Sequence, residues 1–307
     1  MEATLKEVRI SRLGALLNKN SNQFSFFLLT LPAILLYLCF FIFPVLSGFY
    51  YSMTDWDGIS KNYQLIGLNN YFEILQDFRF LQALGFTLYY TFLLLTLTLS
   101  VALGGALLLD GKIKFKGFLR SVYFFPAVLS LVTVGTIFNQ LFYAVLPSVG
   151  EHLGIDWLTS NILSNPSTAV YGIVIANVYQ GLAIPMIIFM AGLSSVPKDM
   201  HEAATIDGAN SLQRFFFITV PFLIPMLIVN MVMITKSGLM VFDFIVVMTN
   251  GGPIRSTESI GLLIYNHGFN ELKFAYGTAE SILTFLIIAI ISFIQIKLLN
   301  RKEVGQQ

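Results

Sequence analysis

Three charged residues stand inside long apolar stretches of the sequence, and they are the first candidates for chemistry. Lys236, Asp243 and Glu280 lie where membrane-spanning helices are expected. Because a charge in lipid is costly, such residues face a cavity or the interior of a helix bundle. Lys236 and Asp243 are seven positions apart, two turns on one face of a helix, which predicts that they line one surface. All three are therefore candidates for a solute pathway.

Two amides form a second candidate set. Asn177 and Gln180 are three positions apart in another apolar stretch and so share a helix face. Amides at such positions hydrogen-bond either the hydroxyl groups of a bound solute or a neighbouring helix. The sequence leaves both alternatives open.

Other kinds of chemistry are missing from the sequence. It contains no Walker-type glycine-rich loop for ATP, and no nucleophile, base and acid form a recognisable set. His152, His201 and His267 are scattered and lack the spacing of metal ligands. We therefore expect no enzyme activity, no metal site and no cofactor held by this chain itself.

Composition indicates which elements carry the candidate residues. Of 307 residues, 56% are hydrophobic and 11% are charged, which is typical of a polytopic membrane protein. The net charge of +1 argues against nucleic acid as a partner. Since about 20 apolar residues in helical form cross a bilayer, the continuous apolar runs predict an all-α bundle of six spanning helices. The predicted spans are 24–50, 85–109, 118–143, 168–194, 217–248 and 274–299.

The distribution of basic residues predicts the orientation. Thirteen lysines and arginines fall in the two tails and the second and fourth connections, whereas four fall in the first, third and fifth connections. Basic residues concentrate on the cytoplasmic side. Both termini and the fourth connection are therefore predicted to be cytoplasmic, with a tail at 1–23, a transmembrane domain at 24–300 and a second tail at 301–307.

The fourth connection, about 195–220, carries strong turn signals. Pro197 marks a helix start, and Gly208 suits the left-handed position that ends a helix. Asn210 with Gln213 predicts a capping box that opens a second helix. We expect a helix of about three turns, a tight turn and another helix. The carboxylate of Asp207 either accepts N–H groups of that turn or serves another purpose.

This connection resembles the EAA loop of the inner-membrane permease subunits of binding-protein-dependent ABC importers. The resemblance rests on Glu202-Ala203-Ala204, Asp207-Gly208-Ala209, Phe216, Pro221 and Pro225. Flanking motifs are similar to those of the carbohydrate-type permeases of maltose and glycerol-phosphate systems. These motifs are Gly67-Leu68-Asn69-Asn70-Tyr71, Phe125-Pro126, Leu193 with Val196-Pro197-Lys198, Phe242-Asp243, Thr249-Asn250-Gly251-Gly252-Pro253 and Tyr276-Gly277-Thr278-Ala279.

The resemblance implies a type I importer permease in a bacterial-type inner membrane, with 195–220 as its coupling loop. In such proteins the short helix seats in a groove of a cytoplasmic ATPase. Glu202 would meet polar groups there, Ala203 and Ala204 would allow close approach, and Asp207 with Gly208 would form the corner. The implied partners are a second, different permease, two ATPase subunits that bind ATP and magnesium, and an extracytoplasmic solute-binding protein carrying a carbohydrate.

Two alternatives accompany this hypothesis. Lys236 either lies in the sugar pathway, where it would favour sugars with acidic groups, or pairs with Glu280 or a partner subunit to assist assembly. An ion-coupled secondary transporter with Lys236, Asp243 and Glu280 as coupling charges is the alternative function. The missing inverted repeat and the helix-turn-helix form of the loop argue against it.

Overall fold

A computed structural model describes residues 27 to 299, except 28, 112 and 113. Every regular element in these residues is a helix, and five helices are long and apolar enough to cross a membrane. A bent pair of shorter helices supplies a sixth span. The predicted all-helical bundle is thus confirmed. The predicted tails at 1–23 and 301–307 lie outside the described residues.

The main helices of the described chain are numbered in order. They are α1 Leu29–Tyr51, α2 Asn69–Gln76, α3 Phe78–Asp110, α4 Lys116–Val128, α5 Leu131–Leu153, α6 Ala169–Gly181, α7 Ala183–Ser194, α8 Lys198–Ile206, α9 Ser211–Leu239, α10 Asp243–Met248, α11 Ile260–Tyr265 and α12 Phe274–Leu299. The fourth and sixth spans lie close to their predicted positions, and α3 begins at Phe78 instead of 85.

The third predicted span, 118–143, is divided between two helices. The backbone of Leu129 and Ser130 is extended, so α4 ends and α5 begins there. Pro126, near the end of α4, cannot donate a backbone hydrogen bond and weakens the last helical turn. The spanning helix of this region is α5, which continues to Leu153, and the predicted boundaries of this span are therefore wrong.

The centre of the bundle is α3, which packs against both α7 and α9, and these two helices also contact each other. Close approach of α3 and α9 depends on Gly238, because a Cβ atom there would lie 2.8 Å from Oγ1 of Thr91. Small residues commonly permit such backbone contact in membranes, where packing rather than water exclusion holds helices together. These contacts fix the helices that carry the candidate polar residues.

The fourth span bends by 53° between α6 and α7. Pro185 has no N–H to offer the carbonyl one turn earlier, at Gly181, so the helix breaks at this point. The amide of Asn230, on α9, donates to the Pro185 carbonyl at 3.2 Å and is fully buried. The kink is therefore tied to the neighbouring span.

The fifth span is also interrupted. Helix α9 ends at Leu239, Phe242 adopts non-helical angles, and α10 begins at Asp243. The carbonyl of Val241, freed by this break, accepts a hydrogen bond of 2.8 Å from the hydroxyl of Ser259. Lys236 and Asp243 are therefore not two turns apart on one continuous helix, and the prediction based on that register is wrong.

The segments 52–77 and 249–273 cover the end of the bundle that the charge distribution predicts to face outside, and we call them the outer cap. Arg79, at the start of α3, holds the second segment: its guanidinium donates two hydrogen bonds to Glu258, at 2.7 and 2.9 Å, and one of 2.6 Å to Glu271. Within the first segment, Asn70 donates to the carbonyls of Ser52 and Thr54, both at 2.8 Å. Hydrogen bonds thus hold each of the two segments in place.

Candidate functional site

The coupling loop has the predicted helix-turn-helix form. Helix α8 is followed by Gly208, whose φ of +80° is a left-handed conformation that only glycine adopts without strain. Asn210 then caps α9: its side chain accepts from the Gln213 backbone N–H at 2.9 Å, and the Gln213 side chain accepts from the Asn210 N–H at 2.8 Å. The predicted glycine corner and capping box are confirmed.

The coupling loop presents its motif residues to solvent. Glu202, Ala203, Asp207 and Gly208 are exposed, and Ala204 is half-buried. The carboxylate of Asp207 accepts no hydrogen bond from any described residue, so the expectation that it bonds the N–H groups of the turn is wrong. The exposed side chains of the motif are therefore accessible to a partner protein.

Two features of the coupling loop were not singled out from the sequence. Arg214, on α9, donates hydrogen bonds to the hydroxyls of Thr205 and Ser211, which links α9 back to α8. Ile206, at the tip of α8, leaves 87% of its surface exposed. Between the two helices lies a groove of about 560 Å³. It is lined by His201, Glu202, Thr205, Ile206, Ser211, Arg214, Phe215 and Thr219.

The amide Asn177 bonds a neighbouring helix. Its nitrogen donates to the Tyr90 hydroxyl of α3 at 2.7 Å, and both side chains are buried, which supports the helix-to-helix alternative. Gln180 is partly exposed. At the kink between α6 and α7, Asn177 also borders a cavity of about 180 Å³. Its lining is Leu94, Thr98, Asn177, Gly181, Ile184, Pro185, Met233, Ile234 and Ser237.

The three charged candidates do not come together. Lys236 and Asp243 are both exposed, and neither forms an ion pair with a described residue. Glu280 is fully buried and contacts Nδ1 of His267 at 2.9 Å. The alternative that Lys236 pairs with Glu280 is therefore wrong. Lys236 and Asp243 lie on accessible surface of this chain, whereas Glu280, on α12, is buried against His267 of the outer cap.

Among the described residues, one group of side chains has the ligand atoms and spacing to hold a metal ion. Asp77, His267 and Glu280 bring ligand atoms within 4.8 Å of one another. The sequence did not reveal this group, because the three residues come from different parts of the chain. It lies at the opposite end of the protein's spans from the coupling loop.

Comparison with known proteins agrees with the geometry of the loop and bundle. Residues 96–304 match the family model described as binding-protein-dependent transport system inner membrane component. The multiple sugar-binding transport system permease protein MsmF of Streptococcus mutans is 42% identical over 271 residues, which is 88% of this chain and 93% of that protein. The trehalose/maltose transport system permease protein MalF of Thermococcus litoralis is 33% identical, over 88% of this chain and 92% of that protein.

A solved structure has the same fold. A chain of a bacterial ABC transporter involved in the import of the acidic polysaccharide alginate superposes with a TM-score of 0.78, at 20% identity, over 93% of this chain and 98% of that chain. Taken with the family match, this likeness identifies the bundle as an ABC importer permease fold. The chain belongs to the family of binding-protein-dependent transport system inner membrane components.

Proposed function

We propose that this chain is a permease subunit of an ATP-driven importer that carries a carbohydrate through the membrane. The observation that carries this proposal is the exposed helix and glycine corner of the coupling loop, which internal contacts leave free. Relatives such as MsmF, a multiple sugar-binding transport system permease protein, suggest the substrate class. The sequence motifs of carbohydrate-type permeases point in the same direction.

The coupling loop would bind a separate ATPase and transmit its ATP-driven movement to the membrane helices. A lever of this kind needs a rigid corner, and here the capping box of Asn210 and the link from Arg214 to Thr205 make the corner rigid. Ile206 adds an apolar tip that would enter the ATPase groove, beside the small side chains of Ala203 and Ala204. Glu202 and Asp207 would contact polar or basic groups of that groove.

The remaining exposed surfaces indicate where the other partners of the importer would bind. No residue of helix α1 is buried within the described chain, so a second permease and lipid would cover much of it. A solute-binding protein would dock on the outer cap, as suggested by the related structure of the alginate transporter with its substrate-bound periplasmic protein. Two ATPase subunits would bind ATP and magnesium in the cytoplasm, the side on which the distribution of basic residues predicts both termini.

The solute would pass along the accessible side of α9 and the kinked fourth span. Lys236 on α9 and Asp243 at the start of α10 are exposed, and Ser237 and Thr98 add hydroxyl groups to the cavity that Asn177 borders. Hydroxyl, amide and charged groups suit a hydroxylated solute. An uncompensated lysine would favour a sugar that carries an acidic group.

The test uses the complete complex reconstituted in proteoliposomes, with Gly208→Val as the variant. Valine at φ +80° introduces about 1 to 2 kcal/mol of backbone strain, so uptake per ATP hydrolysed should fall several-fold while insertion is unchanged. Gly154→Val is the matched control, because Gly154 also has a positive φ of +65° and open space, but lies at the end of α5. Equal uptake per ATP in Gly208→Val and wild type would overturn the proposal.

The charge hypothesis has its own test. Lys236→Gln should reduce uptake of an oligouronate more than uptake of a neutral oligosaccharide, because only the acidic solute loses an attraction. Equal effects on the two solutes would remove the preference for acidic sugars and leave the permease assignment intact. Uptake that persists without ATP would instead favour an ion-coupled carrier.

A further inference from the structure

A cluster of carboxylates lies where the outer cap meets α3 and α12. The guanidinium of Arg79 bonds Glu258 and Glu271, and the backbone N–H of Arg79 donates to Asp77 at 2.8 Å. Lys273, which is exposed, also bonds Glu271 at 3.3 Å. Burial raises the pKa of Glu258, but Arg79 outweighs it and holds this pKa below its ordinary value. Arg79 likewise lowers the pKa of Glu271, so both carboxylates are charged.

The ring of His267 lies between Arg79 and Glu280. Its Nε2 lies 3.3 Å from a guanidinium nitrogen of Arg79, and its Nδ1 lies 2.9 Å from a carboxylate oxygen of Glu280. Each imidazole nitrogen is a donor or an acceptor according to the tautomer, so the ring can offer Nδ1 to a metal ion while it carries its proton on Nε2.

Glu280 is the unsatisfied member of the group. The side chain is completely buried, and its Oε2 has no hydrogen-bond partner among the described residues. A buried carboxylate oxygen without a partner is costly and calls for a compensating cation or proton. The neighbouring ligand atoms of Asp77 and His267 lie within 4.8 Å, close enough for one ion to contact all three.

We propose that Asp77, His267 and Glu280 form a site for a divalent transition metal ion, with zinc as the expected occupant. One imidazole nitrogen and two carboxylate oxygens are a ligand set that zinc accepts, with water completing the coordination. The ion would bind Nδ1 of His267, and the ring would carry its proton on Nε2, which lies 3.8 Å from Glu271. The 3.3 Å contact between Nε2 and Arg79 would then be lost. Arg79 keeps its carboxylate hydrogen bonds, since none involves the ring.

The site would join three elements of the protein. Asp77 precedes α3, His267 lies in the turn of π-helix that follows α11, and Glu280 lies on α12. An ion that binds only the folded arrangement stabilises it by mass action. The metal would therefore fasten the two segments of the outer cap to α12.

The test measures zinc binding to the purified full-length chain in detergent after chelator treatment. Wild type should bind one zinc ion per chain and unfold at a higher temperature when zinc is present. His267→Gln and Glu280→Gln each remove a ligand and should weaken zinc binding by about 10- to 100-fold or more. Loss of an outer-shell partner, which does not touch the metal, already costs that much. The matched control is His152→Gln, which removes an exposed histidine bonded to the Ser148 carbonyl and should leave binding unchanged.

A second variant guards against misfolding of the buried substitutions. Asp77→Asn keeps a side-chain acceptor for the Arg79 N–H, because asparagine caps helices as well as aspartate, yet it removes a charged ligand. It should lose zinc binding and the zinc-dependent shift in unfolding temperature while remaining folded. Failure of wild type to bind zinc would overturn the proposal. Zinc binding in Asp77→Asn and His267→Gln that is as strong as in wild type would also overturn it. The same holds if His152→Gln weakens binding as much as the ligand variants do.

Discussion

The two ends of this protein are stabilised in opposite ways. In the outer cap, Arg79 forms three hydrogen bonds to carboxylates, and one of those partners, Glu258, is almost fully buried. In the coupling loop, the corresponding arginine, Arg214, bonds only two neutral hydroxyls at the surface. One end holds its polar groups together internally, whereas the other leaves them exposed.

This difference teaches how a transport subunit divides its tasks. A surface that holds its place benefits from internal charge pairing, because breaking a buried pair leaves an uncompensated charge. A surface that engages a moving partner must keep its polar groups unsatisfied until the partner arrives. The exposed Glu202 and Asp207, beside the exposed Ile206, fit the second description.

The largest expected effect on stability comes from replacing each of the two arginines, separately, with leucine. Arg79→Leu would leave the buried Glu258 without its partner and should lower the free energy of unfolding by about 3 kcal/mol. Arg214→Leu removes two hydrogen bonds to neutral groups and should cost about 1 kcal/mol. Thermal unfolding in detergent, followed by tryptophan fluorescence, measures both. Equal losses would show that the two ends do not differ as the contacts indicate.

A smaller effect is expected from removing the helix cap of the coupling loop. Asn210→Ala loses the side-chain acceptor for the Gln213 N–H, which costs about 1 kcal/mol and loosens the corner, so uptake per ATP should fall. Asn161→Ala provides the comparison, because Asn161 caps a short helix in the connection after α5 through the Leu163 N–H. A similar fall in coupling for Asn161→Ala would contradict the special role of the loop.

Much of this architecture was predictable because the bilayer imposes simple rules. Continuous apolar runs predict spanning helices, and local signals such as Gly208 and the Asn210 capping box act within a few residues. Helix breaks were harder to predict. After the break that follows Leu239, the Val241 carbonyl accepts its hydrogen bond from Ser259, 18 positions further along the chain. The sequence around the break therefore does not reveal the partner of this carbonyl.

The polar partners inside the protein were the least predictable part. Asn177 donates a hydrogen bond to Tyr90, which lies 87 positions earlier in the sequence on another helix. Glu280 contacts His267 instead of Lys236. Spacing along the chain carries no information on such contacts, which depend on how whole helices are rotated and placed. The metal ligands of the outer cap were missed for the same reason.

The central claim is that the coupling loop contacts an ATPase, and crosslinking in the native membrane tests it most directly. A photoreactive amino acid would replace Ile206, which is 87% exposed, or Leu68 in the outer cap, which is 53% exposed. We expect an adduct with an ATP-binding protein from position 206 and none from position 68. An intact complex that yields no such adduct from position 206, or that yields it from position 68, would show that the coupling loop does not contact the ATPase.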